Sequence, residues 1–276
     1  MTQATDKPTM KYLAPLIAFV CCYATGCLAE VQDLASSSID PEVQSCIERS
    51  APRISLKENI SLLVSDDKGV VSEMRAEVYW KRFENDLSKA VIRFTDPPHK
   101  SRIALLLEQS DDMDAEPAMT IYLPELRSTR RIVGTALNGS MFGTGFSYDD
   151  FAQLQHVINH RKVRVLDAEE LDGRANYVLE TLPNFEYSDY RRVVTLIDKE
   201  WCIPVRTRFY GAGGQLFKEM LVVMEDVRQL GDRVIPYRTV LSEHTGGHTE
   251  IRVNEVEVDA DLRDRIFTPS DLGRGK

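Results

Sequence analysis

Apolar and polar residues alternate with a period of two along most of this chain, a rhythm that suits pleated strands and would scatter around a helix. Between 72 and 81, Ser72, Met74, Ala76, Val78 and Trp80 fall on one face. Glu73, Arg75, Glu77 and Lys81 fall on the other, with Tyr79 among them. Ala90, Ile92 and Phe94 then alternate with Lys89, Val91 and Arg93 until Asp96-Pro97-Pro98 stops the run. Comparable runs cover 102–107, 119–123, 127–133, 162–166, 176–180, 191–197, 201–210, 216–224, 234–243 and 249–258. Turn signals at Asp172-Gly173, Gly213-Gly214, Gly231-Asp232 and Gly246-Gly247 separate the later runs, as in a meander of hairpins. The chain is therefore expected to be mainly β, with an antiparallel sheet of about ten or eleven strands.

Open twisted sheets seldom exceed ~10 strands, so a sheet this long must curl or be covered. One apolar face per strand implies a curved sheet with a lined concave side. Helical stretches are expected at Pro41–Arg49 behind Asp40, at Tyr148–Asn159 behind Ser147, and briefly at Asp261–Arg265. They are candidates to plug or line the concavity.

The segment from Arg130 to Gln155 stands apart from this pattern. Gly134, Gly139, Gly143 and Gly145 punctuate the apolar Met141, Phe142 and Phe146. Ser147 is placed to cap the helix that follows, and Asp149 and Asp150 put acids in its first turn. Flexible backbone carrying large apolar side chains suits a flap over an apolar cavity. The same spacing also suits a glycine-rich connection whose aromatics pack on the core.

Polar residues 1–10 precede Lys11 and an apolar run from Tyr12 to Ala24. That run is too short to span a bilayer and fits the core of a secretory signal cleaved after Ala29. Residues 1–29 are thus read as a signal peptide and 30–276 as a single β domain. The rival is lipid attachment at Cys27 after Ala24-Thr25-Gly26, although the usual Leu three positions earlier is missing. Losing Lys7, Lys11 and Asp6 with the leader shifts the net charge by one unit, from −9 to −10. An acidic chain without a basic run argues against nucleic acid and against charge-driven binding to anionic headgroups. Two cysteines remain beyond the leader, Cys46 and Cys202. In an oxidising compartment they form either a disulfide or two separate buried thiols.

Catalytic patterns are weak. Gly145-Phe146-Ser147-Tyr148-Asp149 lacks the second glycine of a nucleophile elbow, and Ser147 is better used as a cap. His156 and His160 have ligand spacing, but the intervening residues lack the Glu of a zinc protease. His244 and His248 flank a turn, and His99 follows two prolines. The acidic stretch Asp111, Asp112, Asp114 and Glu116 lacks the glycine and closing Glu of a calcium loop. Asn59-Ile60-Ser61 and Asn138-Gly139-Ser140 match glycosylation acceptors only formally. Arg127, Arg130 and Arg131 read as a charged strand face. No enzyme, metal site or cofactor is expected.

The residues that carry a family resemblance lie mainly at the centre. Arg130-Arg131-Ile132-Val133-Gly134, Gly139-Ser140-Met141-Phe142-Gly143 and Gly145-Phe146-Ser147-Tyr148-Asp149-Asp150-Phe151 are similar to the corresponding block of the LolA/LolB-like outer-membrane lipoprotein-sorting family. Tyr177 to Glu180, Tyr190 to Asp198, Ile203-Pro204-Val205, Thr249 to Asn254 and Ile266-Phe267-Thr268-Pro269 continue the likeness, which spans roughly 40–276. The resemblance implies an unclosed half-barrel whose mouth is covered by helices. It also implies a periplasmic carrier of lipid or lipoprotein acyl chains towards the outer membrane, in some members alongside an RND-type transporter. The alternative is a periplasmic adaptor that docks a transporter and carries no lipid. Exposing an acyl chain to water costs ~0.8 kcal/mol per methylene, so a dry aromatic-lined groove would offset that cost. Trp80, Phe94, Met141, Phe142, Phe146, Phe209, Met220 and Met224 are the candidate lining or lid residues.

Overall fold

A computed structural model of the protein describes residues 40–274, apart from 51, 67, 86, 110–117, 159–162 and 184–187. The leader, the acidic stretch at Asp111–Glu116 and His160 lie outside the described residues, as does the side chain of His156. The chain begins with a helix, α1 (Pro41–Ser50), capped by the Asp40 carboxylate, which accepts the Glu42 N–H at 2.8 Å. Six strands follow: β1 (Ser55–Ser65), β2 (Val71–Arg82), β3 (Ser88–Asp96), β4 (Ala104–Glu108), β5 (Ala118–Leu123) and β6 (Ser128–Ile132). A connection then carries a short 3-10 turn (Gly134–Asn138) and α2 (Tyr148–Ile158). Next come β7 (Val163–Leu171), β8 (Arg174–Thr181), β9 (Arg192–Asp198), β10 (Pro204–Tyr210) and β11 (Leu216–Val222). The last strands are β12 (Val227–Leu230), β13 (Arg233–Pro236), β14 (Arg238–Glu243) and β15 (His248–Val258).

Among the described residues, thirteen of these strands form one antiparallel sheet in the order β6-β5-β4-β3-β2-β1-β15-β14-β11-β10-β9-β8-β7. It is two meanders joined where the first strand meets the last, with Ile60 opposite Ala76 on one side and Val253 on the other. The sheet is not closed into a barrel, and β6 and β7 are its edges. β12 and β13 form a separate two-stranded ribbon.

The connection from β6 to β7 joins those two edges, and it packs on the sheet face carrying Leu62, Met74, Ile92, Phe94, Leu105 and Phe209. This is the inner face of the sheet. Leu137, Met141, Phe146 and Ala152 from the connection complete its cluster. Further along, α1 sets Val43, Cys46 and Ile47 against Val163, Leu179 and Ile197. A disulfide joins Cys46 to Cys202, with the Cα atoms 5.0 Å apart and a sequence separation of 156.

The outer face is also covered. Tyr79, Val91, Ala104 and Leu106 pack against Ala260, Leu262, Phe267 and Leu272 of the C-terminal segment. Val178, Val194, Leu196 and Val205 pack against the ribbon through Val227 and Val234. This departs from the single apolar face read from the alternation. Central strands such as β4 are buried on both sides because the chain's own tail supplies a second apolar layer.

The strand count also exceeds the ten or eleven expected. β1 escapes the alternation because Lys57, Glu58 and Asn59 place polar groups on both faces. The run 234–243 divides at Tyr237 into β13 and β14. The helix expected at Asp261–Arg265 is a 3-10 turn at Asp264–Phe267. Helices α1 and α2 lie where their capping signals placed them.

Candidate functional site

The cover over the inner face is built from local signals in its own sequence. Ser147 Oγ accepts the Asp150 N–H at 3.1 Å, and Asp150 Oδ2 accepts the Ser147 N–H at 2.7 Å. This is a capping box with Asp in the reciprocal position. Phe142 and Gly143 both adopt the left-handed region, with φ of 58° and 83°. For a phenylalanine that conformation costs energy and persists only where the surroundings dictate it. Here the Phe142 ring stands edge-on to Phe94, centroids 4.7 Å apart, and near Tyr148 at 6.2 Å. Its carbonyl accepts a 2.6 Å bond from Lys100 Nζ. Burial lowers the Lys100 pKa.

Gly145 brings the cover against the sheet. Its N–H donates to Thr249 Oγ1 at 2.8 Å, and a Cβ there would sit 3.1 Å from Glu243 Oε2. Beyond it, the fully buried Asp150 carboxylate accepts from Lys218 Nζ on β11 at 2.9 Å and from the Tyr190 hydroxyl. Asp149 accepts from Ser188 Oγ at 2.6 Å and from the Gln153 amide at 2.8 Å. Burial raises the Asp149 pKa against these bonds, with the Asp150 charge adding to the rise. Tyr190 is pushed well above the usual phenol range by burial and by Asp150, so it serves as a donor and not as a proton shuttle.

The inner face is thus occupied by the protein itself. Leu137, Met141 and Phe146 are each no more than 2% exposed. Open space lies beside them. A cavity of about 410 Å³ is lined by Ser140, Phe146, Ser147, Tyr190, Phe217 and Lys218, among others. A second, of about 240 Å³, shares Thr144, Gly145, Glu243 and Thr245 with it. Both flank the hinge-like glycines of the cover. An apolar wall, an apolar cover and a few polar ties thus meet on this face. Among the described residues, no cluster of His, Cys, Asp or Glu is arranged to hold a metal. No helix among them is long and apolar enough to cross a membrane.

Of the residues singled out from sequence, Phe94, Met141, Phe146 and Phe209 are buried together in the inner cluster, with Phe142 and Met220 at its margin. Met224 is elsewhere. The alternation of β11 ends at Val222, and the 3-10 turn Met224–Asp226 rolls Met224 onto the outer-face cluster. Trp80 shares a strand face with Met74, Ala76 and Val78 but sits half-buried beneath the Arg82 guanidinium, 5.9 Å from its ring. Arg130 and Arg131 are exposed on edge strand β6, where charge discourages further strand pairing. Sequence reading missed Tyr190, Ser188 and Lys218. Nothing local marks them, since each acquires its role from the cover docking on it.

The model of one protein family, described as "Uncharacterized protein", matches residues 86–274. No curated protein matches the chain. Among solved structures, a domain described as an outer membrane lipoprotein-sorting protein from Vibrio parahaemolyticus is 22% identical. The match covers 84% of this chain and 97% of that one, with a TM-score of 0.76. A DUF1329 family protein from Desulfovibrio piger is 20% identical over 84% of this chain and 96% of its own, with a TM-score of 0.75. A LolA superfamily protein from Nitrosomonas europaea is 20% identical over 82% and 97%, with a TM-score of 0.61. At these identities the likeness is one of fold.

Proposed function

From the premise that this chain belongs to the family whose model its residues 86–274 match, and that it shares the fold of LolA-superfamily structures, we propose that it is a periplasmic carrier. It would take a lipid or lipoprotein acyl chain onto the inner face of its sheet and release it towards the outer membrane. The observation that carries this reading is the cover itself. The two edges of the sheet are linked by a segment that lays Leu137, Met141 and Phe146 on the inner face instead of hydrogen-bonding the sheet shut. Contacts made by side chains alone can be traded for contacts with an acyl chain at little net cost, because both are apolar burial at ~25 cal/mol per Å². The ties that would release are few: Lys218 to Asp150, Ser188 to Asp149, Gly145 to Thr249 and Lys100 to the Phe142 carbonyl. The adjoining cavities offer the entry point. An RND-type inner-membrane transporter belongs to the reading through the family resemblance.

A second reading, the lipid-free adaptor, draws on the same filling of the inner face. A protein that never opens needs no other occupant there. The two separate in one experiment. Protein expressed to the periplasm would be examined by native mass spectrometry with lipid extraction, and then titrated with a fluorescent fatty-acyl probe. The carrier retains lipid and binds the probe, and Phe142→Asp weakens binding about tenfold or more, while circular dichroism stays unchanged. Lipid-free protein that ignores the probe would sink the carrier and leave the adaptor.

A further inference from the structure

A cavity of about 580 Å³ lies on the opposite, outer face, between β1, β2, β3, β15 and the C-terminal segment. At its wall is Arg93, only 8% exposed, on the face of β3 that also carries Val91. The Nε and Nη2 atoms of Arg93 are buried and have no hydrogen-bond partner. Glu77 lies directly across on β2, and its carboxylate accepts the Tyr79 hydroxyl at 2.7 Å. A buried guanidinium with open donors is costly, and a planar oxyanion matches its fork. Five side chains lining the cavity are cationic and three are acidic, so the lining carries a net positive charge in an acidic protein. Lys57, Arg265 and Arg274 stand with Arg93, while Leu262 and Ile266 supply an apolar wall.

We propose that this outer cavity binds a phosphate- or carboxylate-bearing small molecule, with Arg93 as the anchoring donor. The volume exceeds what a bare anion fills, leaving room for an attached organic body. The site is independent of the cover on the inner face. A free anion and a lipid headgroup present the same chemistry, and the test separates them.

Isothermal titration in phosphate-free buffer would use inorganic phosphate in one arm and dihexanoyl phosphatidylglycerol below its micelle concentration in the other. Binding of either probe is expected, weakening as salt rises. Tighter binding of the phospholipid identifies a headgroup site; equal or tighter binding of phosphate identifies a free-anion site. Arg93→Met should weaken binding about tenfold or more, and fluorescent acyl-probe binding should not change. If Arg93→Met fails to fold, the exposed double variant Arg265→Gln/Arg274→Gln should still weaken binding several-fold. The proposal is overturned if neither probe binds, or if the folded variants bind as the parent does.

Discussion

Lys218 Nζ on β11 lies 2.9 Å from Asp150 Oδ2 at the start of α2, and this pair is one of the polar ties that fasten the cover to the sheet. The carboxylate is fully buried and also closes the capping box of its own helix. One residue therefore serves both the local start of α2 and its long-range docking. Lys218→Met keeps the stem but strands a buried charge, a change that costs about 3–5 kcal/mol. A fall in melting temperature and faster amide exchange across 140–154 are expected. Unchanged exchange there would show that the pair does not hold the cover.

Gly145 sits tightly against the β14–β15 hairpin. In Gly145→Ala the added methyl meets Glu243 Oε2 at 3.1 Å and Thr249 Oγ1 at 3.2 Å. Overpacking of this kind costs about 1–3 kcal/mol. The denaturation midpoint should drop, and the Gly145 N–H to Thr249 bond should lose protection in hydrogen exchange. A variant as stable as the parent would mean that the hairpin yields freely.

Glu58 sits on β1, opposite Val78 and Val256, and burial raises its carboxyl from the ordinary 4.5 to about 7. The folded state therefore holds this proton more tightly than the unfolded chain does. Its contribution to stability is greatest below pH 4.5, declines as pH rises towards 7, and levels off above that. Because the side chain keeps some exposure, the decline is set at roughly 1–3 kcal/mol. Urea unfolding of the parent and of Glu58→Gln between pH 4 and 8 checks this. The difference between them should widen with pH in favour of the glutamine, and parallel profiles would contradict the assignment.

The Cys46–Cys202 bond closes a loop of 156 residues and fastens α1 to the turn after β9. Replacing both cysteines with Ala should cost about 2–5 kcal/mol, chiefly through the freer unfolded chain. Trypsin would then cut sooner at Arg49, within α1. Equal cutting with and without the bond would mean that apolar packing alone holds the helix.

Much of this architecture could be read along the chain. Alternation at Met74, Ala76 and Val78 or at Ile92 and Phe94 follows from the pleat. The Ser147–Asp150 cap reports groups three residues apart. Glycine turns such as Asp172-Gly173 are equally local. These features depend on sterics and hydration among neighbours, which the order of residues states directly.

Other features belong to pairings across long stretches of chain. β1 lies beside β15, Asp150 meets Lys218, and Met224 ends up on the outer face while Met220 stays at the inner one. The apolar face of a strand says that it must be covered, but its composition does not say by what. Covers compete for the same area at similar free energy per Å², so the choice falls to accumulated twist, loop length and fit, which exist only once the whole sheet has formed.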